Sequence, residues 1–179
     1  MAVEKIITSD NKKKKIEEDV YLSDPKFVKR LKNILRHIKL VQDAAQILGD
    51  RLIEKGKSDI AKMLIANSFI HDNSKFYGIE WEYLTNDDDV SKDKLEIAIS
   101  HHVSINPHHP EYWGGVENMP IVFIAEMVCD LYARSIEFGT DLREWIKDIF
   151  VKKHNISVNS KIYRSIISMI DLLLNKPFS

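Results

Sequence analysis

Apolar residues recur at the three-and-four spacing of an amphipathic helix through most of this 179-residue chain, and no segment alternates like a half-buried strand. The first apolar stripe follows Asp24-Pro25, where aspartate suits a helix cap and proline suits the first turn. Its members are Phe27, Val28, Leu31, Ile34, Leu35, Ile38 and Val41. This periodicity predicts an all-α fold.

The stripes and the breaks between them predict about six helices in one domain, residues 23–179. Such a length, with 44% apolar residues, suits a single core. The expected helices cover about 24–55, 59–70, 91–105, 120–136, 142–151 and 161–174. Residues 1–22, which include a run of lysines, are expected to form a charged tail or a short helix.

Charge and cysteine content exclude several classes of protein. Lys and Arg (26) nearly balance Asp and Glu (27), so no global field attracts a nucleic-acid polymer or an anionic membrane. The single cysteine, Cys129, lies in an apolar run and is expected to be a buried hydrophobe. The longest uncharged stretch, Met119 to Ala125, is too short to span a bilayer. We therefore expect a cytoplasmic protein without a membrane or nucleic-acid partner.

Histidines and carboxylates cluster in the middle of the chain. His71-Asp72 is followed by two doubled histidines, His101-His102 and His108-His109. His37 lies beside the inward stripe of the first helix, and Asp130 lies in an apolar helix where an isolated carboxylate is costly. Imidazole and carboxylate together form the ligand set of a first-row transition metal. The sequence therefore predicts a metal site assembled from four segments.

Ordinary structural roles compete with this prediction. An adjacent histidine and aspartate occur by chance in many chains, and His71-Asp72 could serve only as a helix cap or a surface pair. Asp130 could form an ion pair with Arg134 one helical turn later. The two explanations remain open for each residue at this stage.

The doubled histidines differ in what the sequence predicts for them. His101 and His102 point about 100° apart on a helix, so they cannot both face one metal. His102 continues a stripe with Leu95 and Ile99 and is the better candidate for a ligand. His101 is a candidate for binding substrate phosphate or for orienting another group through a hydrogen bond. His108-His109 lies in a proline-bounded loop, where the direction of a side chain is not predictable.

Three ordered motifs carry a resemblance to a known superfamily. They are HD-x-SK at His71 to Lys75, HH-x3-N-x-HHPE at His101 to Glu111, and EM-x-CD at Glu126 to Asp130. With His37 upstream, they resemble the H…HD…D signature of the HD-domain superfamily, which are helical metal-dependent phosphohydrolases. The likeness extends from about Phe27 to Leu174 and looks closest to a bacterial and bacteriophage family of HD-like proteins that carries these motifs.

The resemblance implies a helical core in which His37, His71, Asp72 and Asp130 hold one divalent metal, and often two. It does not specify a substrate, because the superfamily includes nucleotidases, deoxynucleotide triphosphohydrolases, cyclic-nucleotide and cyclic-dinucleotide phosphodiesterases, and di-iron oxygenases. The HD-x-x-K spacing looks like that of the HD-GYP phosphodiesterases, but the Gly-Tyr-Pro element of those enzymes is missing here.

The resulting expectation is a phosphohydrolase that acts on a phosphoester, with a nucleotide as the first choice of substrate. One or two ions of manganese, iron, cobalt, nickel or zinc are expected as cofactors. The predicted metal ligands are His37, His71, Asp72, Asp130, His102 and His109, and the predicted catalytic residues are Lys75, Glu126 and His101. Two alternatives remain open: an HD-type di-iron oxygenase, and an HD-like module that binds a nucleotide or a host protein without catalysis.

Overall fold

The computed structural model describes residues 24–85 and 90–175. These residues form seven α-helices and no strand, which confirms the all-α fold. The helices are α1 (Pro25–Glu54), α2 (Ser58–Ser68), α3 (Lys92–Ile105), α4 (Ile121–Phe138), α5 (Leu142–Trp145), α6 (Val151–Lys153) and α7 (Lys161–Leu174). Shorter helical turns occur at Asn73–Phe76, Glu80–Leu84, Pro110–Trp113, Val116–Asn118 and Ile146–Phe150. The predicted N-terminal tail lies outside the described residues.

Helix α1 carries both the core and a candidate ligand. The carboxylate of Asp24 caps it by accepting a hydrogen bond of 2.9 Å from the backbone N–H of Lys26, as the sequence predicts. Its inward stripe continues to Leu48 and Leu52, both fully buried. Each such side chain contributes about 1.5–3 kcal/mol to the free energy of folding. His37 is buried beside this stripe.

The core lies where α1 packs against α2, α4 and α7. Gly49 of α1 permits the close approach of α2, because a Cβ atom there would lie 2.8 Å from Cδ1 of Ile65. The fully buried side chains of this core include Val41, Leu64, Val128, Ile166 and Ile170. Cys129 is also fully buried, as predicted. Among the described helices, none combines the length and apolar character that a membrane span requires.

Residues 69–85, which follow α2, contain more regular structure than their polar sequence indicates. Helix α2 ends at Ser68 instead of near Ile70, and the chain then turns sharply through His71 and Asp72. A 3₁₀ turn follows at Asn73–Phe76. A π-helical turn at Glu80–Leu84 then leads toward α3, and such turns are frequent at functional sites.

The predicted inward stripe of α3 is only partly correct. Ala98 and His102 are buried, whereas Leu95 is 36% exposed and Ile99 43% exposed. Among the described residues, helix α3 makes its main contacts with the short turns Glu80–Leu84 and Pro110–Trp113, and Ile99 does not pack against the core. The side that carries Ile99 instead borders an open cavity.

Candidate metal centre

Side chains from five parts of the fold converge at one point beside the core. They are His37 from α1, His71 and Asp72 from the turn after α2, His102 from α3, His108 and His109 from the loop after α3, and Asp130 from α4. All of them are buried except His109, which is half-buried. The structure thus brings together all six predicted metal ligands and adds His108.

One group of ligand atoms lies on the α1 side of Asp72. His37 Nε2 is 3.0 Å from Asp130 Oδ1 and 3.4 Å from Asp72 Oδ2. His71 Nε2 is 3.6 Å from Asp72 Oδ2 and 3.9 Å from Asp130 Oδ1. The ligand atoms of His37, His71 and Asp130 all lie within 4.8 Å of one another, close enough to coordinate one ion.

A second group lies on the other side of the same carboxylate. Asp72 Oδ1 is 3.3 Å from His102 Nε2 and 3.5 Å from His108 Nε2. His109 Nε2 is 3.1 Å from His102 Nε2. The two oxygens of Asp72 therefore face two different sets of imidazoles, which is the arrangement of a carboxylate that bridges two ions.

The cluster also contains polar atoms that the protein itself leaves unsatisfied. In the described part of the chain, the buried side-chain atoms without a hydrogen-bond partner are His37 Nε2, His71 Nε2, Asp72 Oδ1, His108 Nε2 and Asp130 Oδ1. His37 Nε2 and Asp130 Oδ1 are 3.0 Å apart but are not aligned for a hydrogen bond. Each unsatisfied atom costs about 1–3 kcal/mol. A bound cation removes this cost, so the residues fit a metal.

Three glutamates orient three of the imidazoles through Nδ1. The pairs are His37 with Glu137 Oε2 at 3.2 Å, His71 with Glu126 Oε1 at 3.0 Å, and His102 with Glu80 Oε2 at 2.8 Å. When each Nδ1–H donates to its carboxylate, the lone pair of Nε2 points toward the cluster. Carboxylates in this position fix the ring and make it a stronger ligand.

The backbone at Asp72 explains how two adjacent residues reach the same point. Asp72 adopts the left-handed conformation, with φ 56° and ψ 21°. Aspartate tolerates this region better than most residues do. The reversal of the chain turns the side chains of His71 and Asp72 toward one centre, whereas neighbours within a helix diverge by about 100°.

The protonation states of most of these groups suit metal binding. Burial opposes ionisation of Asp72 and Asp130, but the neighbouring imidazoles, and Lys75 beside Asp72, hold the pKa of both carboxyl groups well below its usual range. Burial lowers the pKa of His102 and, more strongly, that of His108, and lowers the pKa of His109 to about 4. The carboxylates are thus charged and these imidazoles neutral near pH 7, as ligands must be.

We expect metal uptake to release protons below about pH 8. Despite burial, the carboxylates of Asp130 and Asp72 raise the pKa of His37 to about 8, so this imidazole is protonated in the metal-free protein at neutral pH. Because only neutral rings bind a metal and, despite burial, the carboxylates of Asp72, Glu126 and Asp130 also raise the pKa of His71, the apparent affinity should rise with pH up to at least about pH 8. Calorimetric titration with Zn²⁺ in buffers of different ionisation enthalpy measures the released protons. An affinity that is constant between about pH 6 and 8 would contradict this expectation.

A cavity of about 650 Å³ connects the cluster with solvent between α1, α3 and α4. Four of the predicted ligands reach its wall, namely His37, His102, His109 and Asp130. Its cationic side chains are Arg30, Arg36, Lys75 and Arg134, and its apolar side chains are Ile34, Leu84, Ile99, Val103 and Phe138. The cavity therefore combines metal ligands, positive charge and an apolar wall.

The predicted catalytic residues differ in their positions. Lys75 lines the cavity and donates a hydrogen bond to Asp72 Oδ2. Glu126 and His101 do not line it. Glu126 accepts hydrogen bonds from His71 and Asn67, and His101 is bound to Glu80. Their contacts fit an orienting role, which the sequence also offered for His101, and the catalytic role of both residues stays a prediction.

Two residues of the centre, Glu80 and Glu137, were missed in the sequence, and His108 was a candidate that the sequence left open. A signal existed for Glu137, which lies two helical turns after Asp130 and therefore on the same face of α4. The predicted alternative partner of Asp130 is present as well, since Arg134 Nε lies 3.9 Å from Asp130 Oδ1. Arg134 is closer to Glu137, at 3.0 Å from Nη1 to Oε2, so it borders the centre without satisfying Asp130.

The model of one protein family, described as a family of unknown function (DUF5662), matches residues 26–172. This range contains every residue of the centre. No curated protein and no solved structure matches the chain. The family description assigns no activity, so the functional assignment depends on the chemistry of the site.

Proposed function

We propose that this chain, which belongs to the DUF5662 family, is an HD-type metal-dependent phosphohydrolase. Its substrate would be a small-molecule phosphoester, with a nucleotide as the first choice. The observation that supports this proposal is the convergence of five buried, unsatisfied ligand atoms beside an open cavity with cationic walls. Such a site holds metal at one end and leaves room for an anionic substrate above it.

The charge of the centre favours two ions over one. Its five carboxylates belong to Asp72, Asp130, Glu80, Glu126 and Glu137. Two cations contact them, Lys75 at Asp72 and Arg134 at Glu137. When the imidazoles are neutral, five negative and two positive charges leave the centre with three net negative charges. One divalent ion would leave it anionic and repel a phosphate, whereas two make it cationic.

We assign the first ion to His37, His71, Asp130 and Asp72 Oδ2, and the second ion to His102, His109 and Asp72 Oδ1. His108 lies beside both positions, because its Nε2 is 3.5 Å from Asp72 Oδ1 and 4.0 Å from Asp130 Oδ2. A donor set rich in imidazole favours manganese, iron, cobalt, nickel or zinc over magnesium.

Metal and protein would contribute different parts of the reaction. Divalent ions in such a site lower the pKa of water toward neutrality and polarise the phosphoryl oxygen. Lys75 and Arg134 would bind the remaining phosphate oxygens from the cavity wall. Ile99 and Phe138, which are 43% and 72% exposed, would pack against the organic part of the substrate. The volume of about 650 Å³ suits a compact organic phosphate.

The test begins with elemental analysis of protein purified without added metal. An activity screen follows, in which nucleotides and p-nitrophenyl phosphate are supplied with manganese, cobalt, nickel or iron. The proposal expects bound transition metal and phosphate release in the wild type, and neither in the Asp72→Asn variant. Metal-replete protein that binds a nucleotide tightly without consuming it would favour a non-catalytic module.

A di-iron oxygenase is the second candidate. The observation that favours it is the meeting of His102 and His109, which completes a six-residue ligand set around Asp72. Anaerobic loading with Fe²⁺, followed by Mössbauer spectroscopy and measurement of oxygen consumption, separates the two functions. Coupled iron that consumes oxygen with an organic substrate would support the oxygenase. Phosphate release without oxygen would support the hydrolase.

The variants His102→Ala and His109→Ala are expected to lose the second equivalent of metal and retain the first. Each removes one imidazole from the second ion and leaves His37, His71 and Asp130 unchanged. Hydrolysis should therefore fall far more than the affinity for the first equivalent. The measurement is bound metal per chain together with kcat. If both variants kept two full equivalents of metal, these histidines would not be metal ligands and would only line the cavity.

A further inference from the structure

Glu80 is a fully buried carboxylate between two imidazoles. Its Oε1 lies 2.8 Å from Nδ1 of His101, and its Oε2 lies 2.8 Å from Nδ1 of His102. Ser74 donates a third hydrogen bond, of 2.8 Å, to Oε2. Glu80 does not line the cavity, so these contacts within the protein define its role.

The contacts of Glu80 connect the turn after Asp72 with the end of α3. The side-chain amide of Asn106 donates to Ser74 Oγ at 2.9 Å and to the backbone oxygen of His102 at 2.8 Å. The network therefore holds the His102 ring from its Nδ1 side and from its backbone. The other ring nitrogen of His102, Nε2, faces Asp72 Oδ1 at a distance of 3.3 Å.

We infer that Glu80 is the positioning residue of the second ion, acting through His102. This inference rests on the two-ion site of the proposed function. Glu137 and Glu126 hold His37 and His71, which we assign to the first ion, and both glutamates lie on α4. Glu80 lies on the separate π-helical turn and holds a ligand of the second ion. The three glutamates thus divide between the two ions.

A glutamine at this position cannot reproduce these contacts. A carboxylate accepts from both imidazoles at once, whereas the amide of glutamine accepts through its oxygen and donates through its nitrogen. In Glu80→Gln, one of the two Nδ1–H groups loses its acceptor, or that imidazole ring changes tautomer and carries its proton on Nε2 instead. A change of tautomer at His102 would place a proton on the Nε2 that faces the ion.

The test is Co²⁺ titration of Glu80→Gln, followed by visible absorption. We expect the second equivalent to bind about 10–100-fold more weakly than in the wild type, with an altered absorption band, and the first to bind unchanged. Glu137→Gln is the matched control, because the same substitution next to His37 should weaken the first equivalent and spare the second. Binding of the spared equivalent, the first in Glu80→Gln and the second in Glu137→Gln, also shows that each variant is folded.

Two further variants test whether the effect passes through His102. In a His102→Ala background, Glu80→Gln should cause no additional loss of the second equivalent, because the ligand it orients is already absent. His101→Ala removes the other imidazole partner and should weaken the second equivalent by less than Glu80→Gln does, because the carboxylate keeps its contact with His102. If Glu80→Gln binds neither ion, Ser74→Ala takes its place, and it should weaken only the second equivalent, by a smaller factor.

Several results would overturn the inference. They are normal binding of the second Co²⁺ by Glu80→Gln, equal weakening of both equivalents in a folded variant, and losses in Glu80→Gln and His102→Ala that simply add. Wild-type protein that binds a single equivalent would overturn the two-ion site as well. Two bound ions with the expected Glu80 effect but no phosphate release would support the inference and refute the hydrolase.

Discussion

Asp72→Ala is expected to lose all bound metal, and His71→Ala to lose the first equivalent, during dialysis against a mild chelator. Asp72 is the residue whose two oxygens face both groups of imidazoles, so its removal affects both ions. His71 is fully buried at the centre of the first group, so its removal affects the first ion. At each affected position too few ligands remain to compete with water. The measurement is metal per chain by elemental analysis.

His154→Ala is the control for this prediction. His154 lies at the end of α6, where its ring packs against Phe150 at a centroid distance of 4.5 Å. Its metal content should equal that of the wild type. A full equivalent of metal retained by Asp72→Ala, or two equivalents retained by His71→Ala, would remove that residue from the ligand set. Added metal should also raise the melting temperature of the wild type and of His154→Ala but not that of Asp72→Ala, which has lost both ions.

Lys75→Met is expected to lower kcat/KM by about 30–1000-fold, which corresponds to the 2–4 kcal/mol lost with one preorganised group. The ammonium group of Lys75 lines the cavity beside Asp72, where a substrate phosphate would bind. Metal content should not fall, because removal of a positive charge next to Asp72 does not weaken its attraction for a cation.

Lys39→Met provides the comparison for Lys75. Lys39 lies on the exposed side of α1 and pairs with Asp43 on the surface, with 67% of its side chain exposed. Its substitution should leave both metal content and kcat/KM unchanged. If Lys75→Met had wild-type kinetics, Lys75 would be only an ion-pair partner of Asp72, without a role in substrate binding.

The helices and the predicted ligands were accessible from the sequence because both depend on local spacing. The stripe of α1 identifies the buried side of the helix and places His37 next to it. Asp130 is recognisable because a carboxylate within an apolar helix needs a partner. The HD motif then relates these residues to His71 and Asp72. Local pattern and resemblance together therefore predicted the first group of residues, whose side chains lie close together in the structure.

Local spacing could not decide the role of His108 or identify Glu80. His108 lies between Pro107 and Pro110, in a loop whose direction is set by contacts with the rest of the fold. Glu80 belongs to a segment without helical periodicity, and its partners Ser74 and His102 lie 6 and 22 residues away. The hydrogen bonds of Glu80 form only after the helices have packed.

The exposed side of α3 shows a different limit of prediction from the sequence. Ile99 and His102 lie close together on one side of the helix, which indicates a side that needs covering. Periodicity does not show whether protein or a ligand provides the cover. In the structure, Ile99 borders the cavity beside the metal centre. An apolar stripe interrupted by a histidine is thus compatible with a binding site as well as with a core.

The left-handed backbone at Asp72 limits which residues this position can accept. Glycine, asparagine and aspartate adopt that conformation readily, and of these three only aspartate supplies two anionic oxygens. A relative with asparagine or glycine here would keep the turn and the helical fold while losing the shared ligand. A β-branched residue would strain the turn itself. If the proposed pair of metal ions is bound as we infer, this one position distinguishes family members that can bind the pair from members that keep only the fold.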